Sequence, residues 1–112
     1  MTELEDLCIH IVDDDAAFRR SLVFLFESVG WQVATHASAE DFLATARTTD
    51  TIACLVLDIS LPGTSGVDFC HSLVASGRKL PTIFITALDH DDARLAVAPL
   101  APVTVLYKPF SN

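Results

Sequence analysis

Side chains that can bind a cation or a phosphoryl group follow four short apolar runs of this sequence. In chain order they are Asp13, Asp14 and Asp15 after residues 7–12, Asp58 after 52–57, Thr86 (followed by the small Ala87) after 82–85, and Lys108 after 103–107. If the runs are parallel strands of one sheet, these groups gather at its carboxyl edge, where open α/β sheets place their sites. Carboxylates suit a divalent cation, while a hydroxyl and an amine suit phosphoryl oxygens. The spacing therefore predicts one site that binds both a divalent cation and a phosphoryl group.

The elements that must position these groups are indicated by short apolar runs alternating with longer amphipathic stretches. Such alternation is typical of βα units. It predicts strands at residues 7–12, 31–35, 52–57, 82–85 and 103–107. The third run is apolar throughout, as a central parallel strand covered on both faces should be. Right-handed crossovers then give a doubly wound α/β sheet, although the local pattern leaves the strand order open.

The first helix is expected to start after a cap at Asp15 or a neighbouring residue and to end near Gly30. Four apolar side chains at helical spacing are predicted to face the core, namely Phe18, Leu22, Leu25 and Val29. A helix capped at one end and apolar on one face can cover the sheet beside the acidic residues.

The later helices are marked by hydroxyl residues and prolines. Ser38 and Ser65 stand where they can cap the second and third helices. A fourth helix is expected near residues 91–98, where Pro99 and Pro102 prevent its extension. We therefore expect a shortened or distorted segment ahead of the fifth strand.

Length, charge and hydropathy narrow the class of protein. The 112 residues are predicted to form a single domain covering residues 1–112. No apolar run approaches the ~20 residues of a membrane span, and the acidic residues 1–6 are unlike the basic start of a secretory signal. We therefore expect a soluble, cytoplasmic chain without membrane contact. The net charge of −8 argues against direct nucleic-acid binding by this domain.

Cysteine and histidine spacing indicates no second site. Cys8, Cys54 and Cys70 form no CxxC pair, so we interpret all three as reduced core residues. The four histidines are dispersed, which argues against a histidine metal site. His10 lies inside an apolar run, so we interpret it as a packed core residue rather than a phosphocarrier.

Four segments together resemble the receiver domain of two-component response regulators. They are residues 11–15, 57–66, 85–87 and 107–110, and the resemblance covers the chain from Leu7 onward. The separation between Asp58 and Thr86 is most similar to that of the FixJ-like subfamily. The resemblance implies a flavodoxin-like fold with strand order 2-1-3-4-5.

The resemblance also implies particular roles. Asp58 would be the phosphoacceptor for a sensor histidine kinase. Four groups would hold Mg²⁺, namely the carboxylates of Asp13, Asp14 and Asp58 and the backbone carbonyl of Ser60. Thr86 would hydrogen-bond the phosphoryl group, Lys108 would pair with it, and the small Ala87 would leave room for it. The residue types are consistent with these roles, because crowded carboxylates need a cation to offset their charge and a carboxylate is a competent nucleophile for phosphoryl transfer.

The function that follows is a phosphorylation-controlled switch that catalyses only its own phosphorylation and dephosphorylation, and not an enzyme with a diffusible product. One alternative is a degenerate receiver that binds partners without phosphorylation. Val105 favours this alternative, because the family usually carries an aromatic residue three positions before the lysine. Another alternative is a small phosphohydrolase, which Ser60 disfavours because such enzymes need a second acid two residues after the nucleophile.

The end of the sequence carries one more expectation. The chain stops at Asn112, where the resemblance implies a covering fifth helix. Without that helix, apolar surface would remain exposed, and such surface usually meets a partner. We therefore expect either a piece of a longer regulator or a chain that buries this surface as a homodimer.

Overall fold

The computed structural model describes residues 8–45, 52–61, 63–77, 80–86, 95, 97–100 and 104–107. Their strands form one parallel five-stranded sheet in the order β2-β1-β3-β4-β5. The strands are β1 Cys8–Val12, β2 Gln32–His36, β3 Ile52–Asp58, β4 Thr82–Thr86 and β5 Thr104–Tyr107. The predicted flavodoxin-like topology is therefore confirmed, and the central β3 lies between β1 and β4.

Among the described residues, three α-helices connect the strands, namely α1 Ala16–Ser28, α2 Ala39–Thr45 and α3 Gly66–Ala75. A short 3₁₀ helix, Ala98–Leu100, precedes β5. The predicted fourth helix at 91–98 lies mostly outside the described residues, although Leu95 and Val97 are helical. The tight turn around Pro99 fits a residue that can donate no backbone hydrogen bond. None of the helices in the described part of the chain is both long enough and apolar enough to cross a membrane.

Both predicted caps of α1 and α3 are confirmed. The Asp15 side chain accepts hydrogen bonds from the backbone N–H groups of Ala17 and Phe18, at 3.0 and 3.1 Å. The Ser65 hydroxyl accepts from the N–H of Asp68 at 3.2 Å. These contacts satisfy donors that the first helical turn leaves without intrahelical partners. They also fix where each helix leaves the edge of the sheet that bears the acids.

The core has two layers, one on each face of the sheet. On the face covered by α2 and α3, the largest side chains that are completely buried are Phe42, Leu55, Leu57, Phe69 and Phe84. On the face covered by α1, the buried side chains are Ile9, Ile11, Leu22, Val56 and Ile85. Successive residues of β1 and β3 pack into opposite layers, because side chains along a strand alternate between the two faces of the sheet.

The predicted core face of α1 is partly wrong. Leu22 is buried, but Leu25 and Val29 are 56% and 69% exposed. Val23 and Phe26 pack against the sheet instead. Apolar residues lie on both sides of Leu22 around the helix, and α1 is rotated so that the half-buried Val23 and Phe26 lie toward the sheet. Val29 is also the C-terminal cap, where the chain has already left helical geometry.

The cysteine prediction is corrected in the same way. All three are free thiols, but only Cys70 is buried, while Cys8 and Cys54 are half-buried. Cys8 opens β1, and Cys54 lies near the start of β3. Both therefore stand at the amino ends of their strands, away from the edge that bears the acids. His10, by contrast, is buried as predicted.

Candidate functional site

The end of β1 positions Asp13 and Asp14. β1 pairs with β2 in a register that places Val12 opposite His36, and the N–H of Asp13 then donates to the carbonyl of His36 at 3.1 Å. Asp13 is fully buried, whereas Asp14 is exposed. The Asp13 Oδ1 atom accepts from the N–H of Asp15 at 2.8 Å. A buried carboxylate thus lies beside one that solvent reaches.

Asp58 is the last residue of the central strand β3 and is 5% exposed. The register of β1 and β3 pairs Val12 with Leu57, so Asp13 and Asp58 follow neighbouring positions. The Asp58 Oδ1 atom accepts from the N–H of Ser60 at 2.9 Å. That short turn holds the carboxylate at the edge where β1 and β3 end.

Three carboxylates meet at this edge. One carboxylate oxygen from each of Asp13, Asp14 and Asp58 lies within 4.8 Å of the other two. Two of these acids are buried and one is exposed, so the cluster opens to solvent on the side of Asp14. Oxygen donors alone, with an open side for water, fit Mg²⁺, which takes one or more carboxylates and keeps several waters. The donor set therefore suits a hard divalent cation.

Gly66 lies against the backbone of Asp58. A Cβ atom at Gly66 would be 2.1 Å from the Asp58 carbonyl oxygen, which is far inside van der Waals contact. The N–H of Gly66 donates to the carbonyl of Ile59 at 2.9 Å. Only glycine lets the first turn of α3 approach the end of β3 so closely. The sequence reasoning assigned no role to Gly66, although a glycine directly before a predicted helix was the available signal.

Thr86 is the fully buried last residue of β4. β3 and β4 pair Asp58 with Ile85, so Thr86 stands one position further along the same edge. In the next strand, Thr86 is opposite Tyr107. The hydroxyl predicted for the site is therefore on a strand adjacent to Asp58. The predicted Lys108 and Ala87 lie outside the described residues, and the carbonyl role of Ser60 stays a prediction.

A buried histidine pair lies below the acids. The His10 Nδ1 and His36 Nε2 atoms are 2.9 Å apart, the two rings are nearly parallel with centroids 5.1 Å apart, and the ring of Phe42 is roughly perpendicular to both. The pKa of His36 is lowered to about 4, mainly by burial and also by the nearby His10, while Asp41 partly opposes the shift. One ring nitrogen must donate and the other accept, so the accepting imidazole is neutral in this contact.

Two side chains from the helices also reach the neighbourhood of the site. Arg19 of α1 donates from Nη1 to the backbone carbonyl of Asp13 at 2.5 Å. Glu40 of α2 accepts at 2.8 Å from the hydroxyl of Thr64, in the loop between β3 and α3. The sequence reasoning identified neither contact, because both depend on how the helices pack across the sheet.

The fold and the acidic cluster define an α/β domain with a candidate cation site at the carboxyl edge of a parallel sheet. The chain belongs to the response regulator receiver domain family, whose family model matches residues 9–112. It is a receiver domain of the two-component signalling systems, as the sequence resemblance predicted.

Curated relatives support the FixJ-like assignment. The transcriptional regulatory protein FixJ of Azorhizobium caulinodans is 40% identical over 110 residues, which cover 96% of this chain and 51% of that protein. Nodulation protein W of Bradyrhizobium diazoefficiens is 40% identical over 93% of this chain and 45% of its own length. The chain therefore spans about half the length of these curated relatives.

Solved structures agree on the fold. The response regulator StyR superposes with a TM-score of 0.84 at 33% identity, covering 95% of this chain and 53% of StyR. FixJ-N superposes with a TM-score of 0.82 at 33% identity, covering 96% of this chain and 86% of FixJ-N. The chemotaxis protein CheY4 of Vibrio cholerae, at 20% identity and a TM-score of 0.81 over 94% of this chain and 88% of CheY4, supports the fold alone.

Proposed function

We propose that this domain accepts a phosphoryl group on Asp58 from a sensor histidine kinase, with Mg²⁺, and that phosphorylation switches its contacts with a partner or a second copy. One observation carries the proposal. Carboxylate oxygens of Asp13, Asp14 and Asp58 approach one another to within 4.8 Å at the end of the central strands. Carboxylates crowded in this way repel unless positive charge offsets them.

The chain's own residues divide the chemistry. Asp13 and Asp14 hold the cation with Asp58 and the backbone carbonyl of Ser60. An Asp58 carboxylate oxygen forms the new bond to phosphorus while the phosphorus–nitrogen bond of the kinase phosphohistidine breaks, and the electron pair stays on the imidazole. When bound, Mg²⁺ supplies positive charge to the phosphoryl oxygens and the carboxylates. The N–H of Ser60, bonded to Asp58 Oδ1, orients the nucleophile before transfer.

Three further groups complete the proposed site. The Thr86 hydroxyl donates to the phosphoryl group, Lys108 pairs with it, and Ala87 leaves room for it. A new dianion at Asp58 then favours conformers in which Thr86 and Lys108 approach it. Thr86 is paired with Tyr107 across β4 and β5, so this movement reaches the edge strand through the backbone ladder. We therefore propose that the edge strand β5 is the element through which a partner detects phosphorylation.

The output is assigned to the whole regulator and not to this domain. The FixJ relative is named a transcriptional regulatory protein, and the chain matches 51% of it. With a net charge of −8, this domain is proposed to act on partners in the cytoplasm without touching DNA itself. It catalyses only its own phosphorylation and dephosphorylation.

A degenerate receiver is the second candidate, and Val105 is the observation that favours it. Val105 and Tyr107 pack against the core on one face of β5, and Val105 holds the position where the family usually carries a switching aromatic. A valine cannot change between buried and exposed rotamers with the reach of an aromatic ring. As a degenerate receiver, the domain would bind its partners in a single conformation, without phosphorylation.

Intact-mass measurement after treatment with acetyl phosphate and Mg²⁺ tests the first proposal against the second. We expect the wild-type chain to gain the mass of one phosphoryl group, and Asp58→Asn to gain none. Asp68→Asn is the matched control, because Asp68 is an exposed acid in the first turn of α3. Equal masses with and without acetyl phosphate in the wild type would support the degenerate receiver.

A further inference from the structure

Arg19 contacts the backbone between two of the proposed cation ligands. Its Nη1 donates at 2.5 Å to the carbonyl of Asp13, and that carbonyl belongs to the peptide bond joining Asp13 to Asp14. A hydrogen bond from a charged guanidinium is roughly twice as strong as one between neutral groups. Arg19 is half-buried, so solvent competes for this bond only in part.

The hydrogen bond from Arg19 completes the restraint on Asp13. On one side, the N–H of Asp13 is bonded to β2 through the carbonyl of His36. The Asp13 side chain is bonded through Oδ1 to the N–H of Asp15. On the other side, the carbonyl is held by Arg19. Rotation of the peptide between Asp13 and Asp14 would redirect both carboxylates, and the bond to Arg19 opposes that rotation.

We infer that Arg19 is a positioning residue for divalent-cation binding: it fixes the Asp13–Asp14 peptide so that both carboxylates face Asp58. This inference rests on the proposed function, because it assumes that the acids bind a cation. Arg19 itself donates and does not ligate, since a guanidinium has no acceptor atom. Its role resembles that of the outer partners that orient metal ligands, whose loss costs about 10- to 100-fold in metal affinity.

A purely electrostatic role for Arg19 predicts the opposite result. A positive charge near the acids repels an incoming cation, so removing it should tighten cation binding. If Arg19 positions the ligands, removing it should weaken binding even though a repulsive charge is lost. The sign of the change in Mg²⁺ affinity therefore separates the two roles.

The test is calorimetric titration of Mg²⁺ into the wild-type chain and three variants, each first checked for folding by circular dichroism. We expect Arg19→Met to bind Mg²⁺ about tenfold more weakly than wild type. Arg19→Lys keeps the positive charge and a donating group but loses the planar fork of the guanidinium, and should recover part of the affinity. Arg20→Met is the matched control, because Arg20 lines the same groove on α1 as Arg19. It should bind at least as tightly as wild type.

Each outcome decides a separate question. A wild-type chain that binds no Mg²⁺ removes the proposed function and this inference with it. A wild-type chain that binds, with Arg19→Met binding equally or more tightly, overturns the inference alone. If Arg19→Met does not fold, Arg19→Lys decides, since undiminished affinity in that variant also overturns the inference.

Discussion

At the scale of single residues, the buried histidine pair couples the stability of the domain to pH. His10 and His36 share one hydrogen bond within a core that also holds Phe42. The pKa of His36 is about 4 in the folded chain, against an ordinary value of 6.5. The unfolded chain therefore binds a proton at His36 at a higher pH than the folded chain does. The free energy of unfolding should fall as the pH drops from about 6.5 toward 4.

The expected loss reaches at most about 3 kcal/mol at the acid end of this range. Urea unfolding at pH 7.5 and at pH 5 measures the part of this loss of stability that occurs above pH 5. In the double variant His10→Leu/His36→Leu both partners of this hydrogen bond are replaced together, so neither imidazole is left buried without the other. This variant should lose less stability than wild type on acidification, while His71→Gln, an exposed histidine on α3, should behave as wild type. An identical pH response in the double variant would contradict this account.

Three residues near the candidate site have roles that could not be predicted from the local sequence pattern. Asp58 and Asp13 were found because acids that end apolar runs are visible in the sequence. Arg19, Gly66 and His36 were not identified, because their roles depend on how separate elements pack against one another. Arg19 reaches back to a carbonyl six residues earlier, and His36 faces His10 across two strands. Such contacts arise from packing, on which short-range spacing carries little information.

At the scale of elements, the ends of the strands were predicted to within about a residue. The buried side of α1 was not predicted correctly. β2 ends at His36 rather than at residue 35, because the polar His36 has a buried partner that the sequence pattern does not reveal. α1 carries apolar residues around much of its surface. Its buried side was set by contact with the sheet, so Leu25 and Val29 were misassigned while Leu22 was correct.

The junction of β3 and α3 gives a prediction at this scale. Gly66→Ala should destabilise the domain by about 3 kcal/mol, because its Cβ would lie 2.1 Å from the Asp58 carbonyl oxygen and either β3 or α3 must move. Urea unfolding measures the change. Phosphorylation by acetyl phosphate should also slow, since the displaced backbone carries the nucleophile.

Gly77→Ala is the control for that substitution. Gly77 has a φ of 87° but no atom within 4 Å of an added Cβ, so it tests backbone strain without a clash. It should cost about 1 kcal/mol, the penalty of a left-handed conformation, and leave phosphorylation unchanged. If Gly66→Ala costs no more than Gly77→Ala, the close approach of α3 to Asp58 is not a structural requirement.

At the scale of the whole molecule, one face of the sheet carries exposed apolar surface. Val105 and Tyr107 pack into the core on the face of α2 and α3, so Leu106 lies on the other face, where it is 38% exposed. Phe24 and Leu25 of α1 are exposed as well. A contiguous patch of exposed apolar surface usually marks an interface. The homodimer expected from the sequence stays a prediction.

Size-exclusion chromatography at several protein concentrations tests that dimer. We expect earlier elution as concentration rises, and a weaker shift in Leu106→Ser. Leu43→Ser is the matched control, because Leu43 is an exposed leucine on α2 rather than on β5. Elution as a monomer at every concentration would show that the exposed β5 surface does not join two copies.

The central claim is that acids far apart in sequence bind one divalent cation beside Asp58. Diffraction data collected at the manganese absorption edge, from crystals of this domain soaked in Mn²⁺, test it most directly. We expect one strong anomalous peak in contact with carboxylate oxygens of Asp13, Asp14 and Asp58, and no such peak in crystals of Asp13→Asn/Asp58→Asn. A wild-type crystal whose manganese lies elsewhere, with this cluster empty at saturating Mn²⁺, would contradict it.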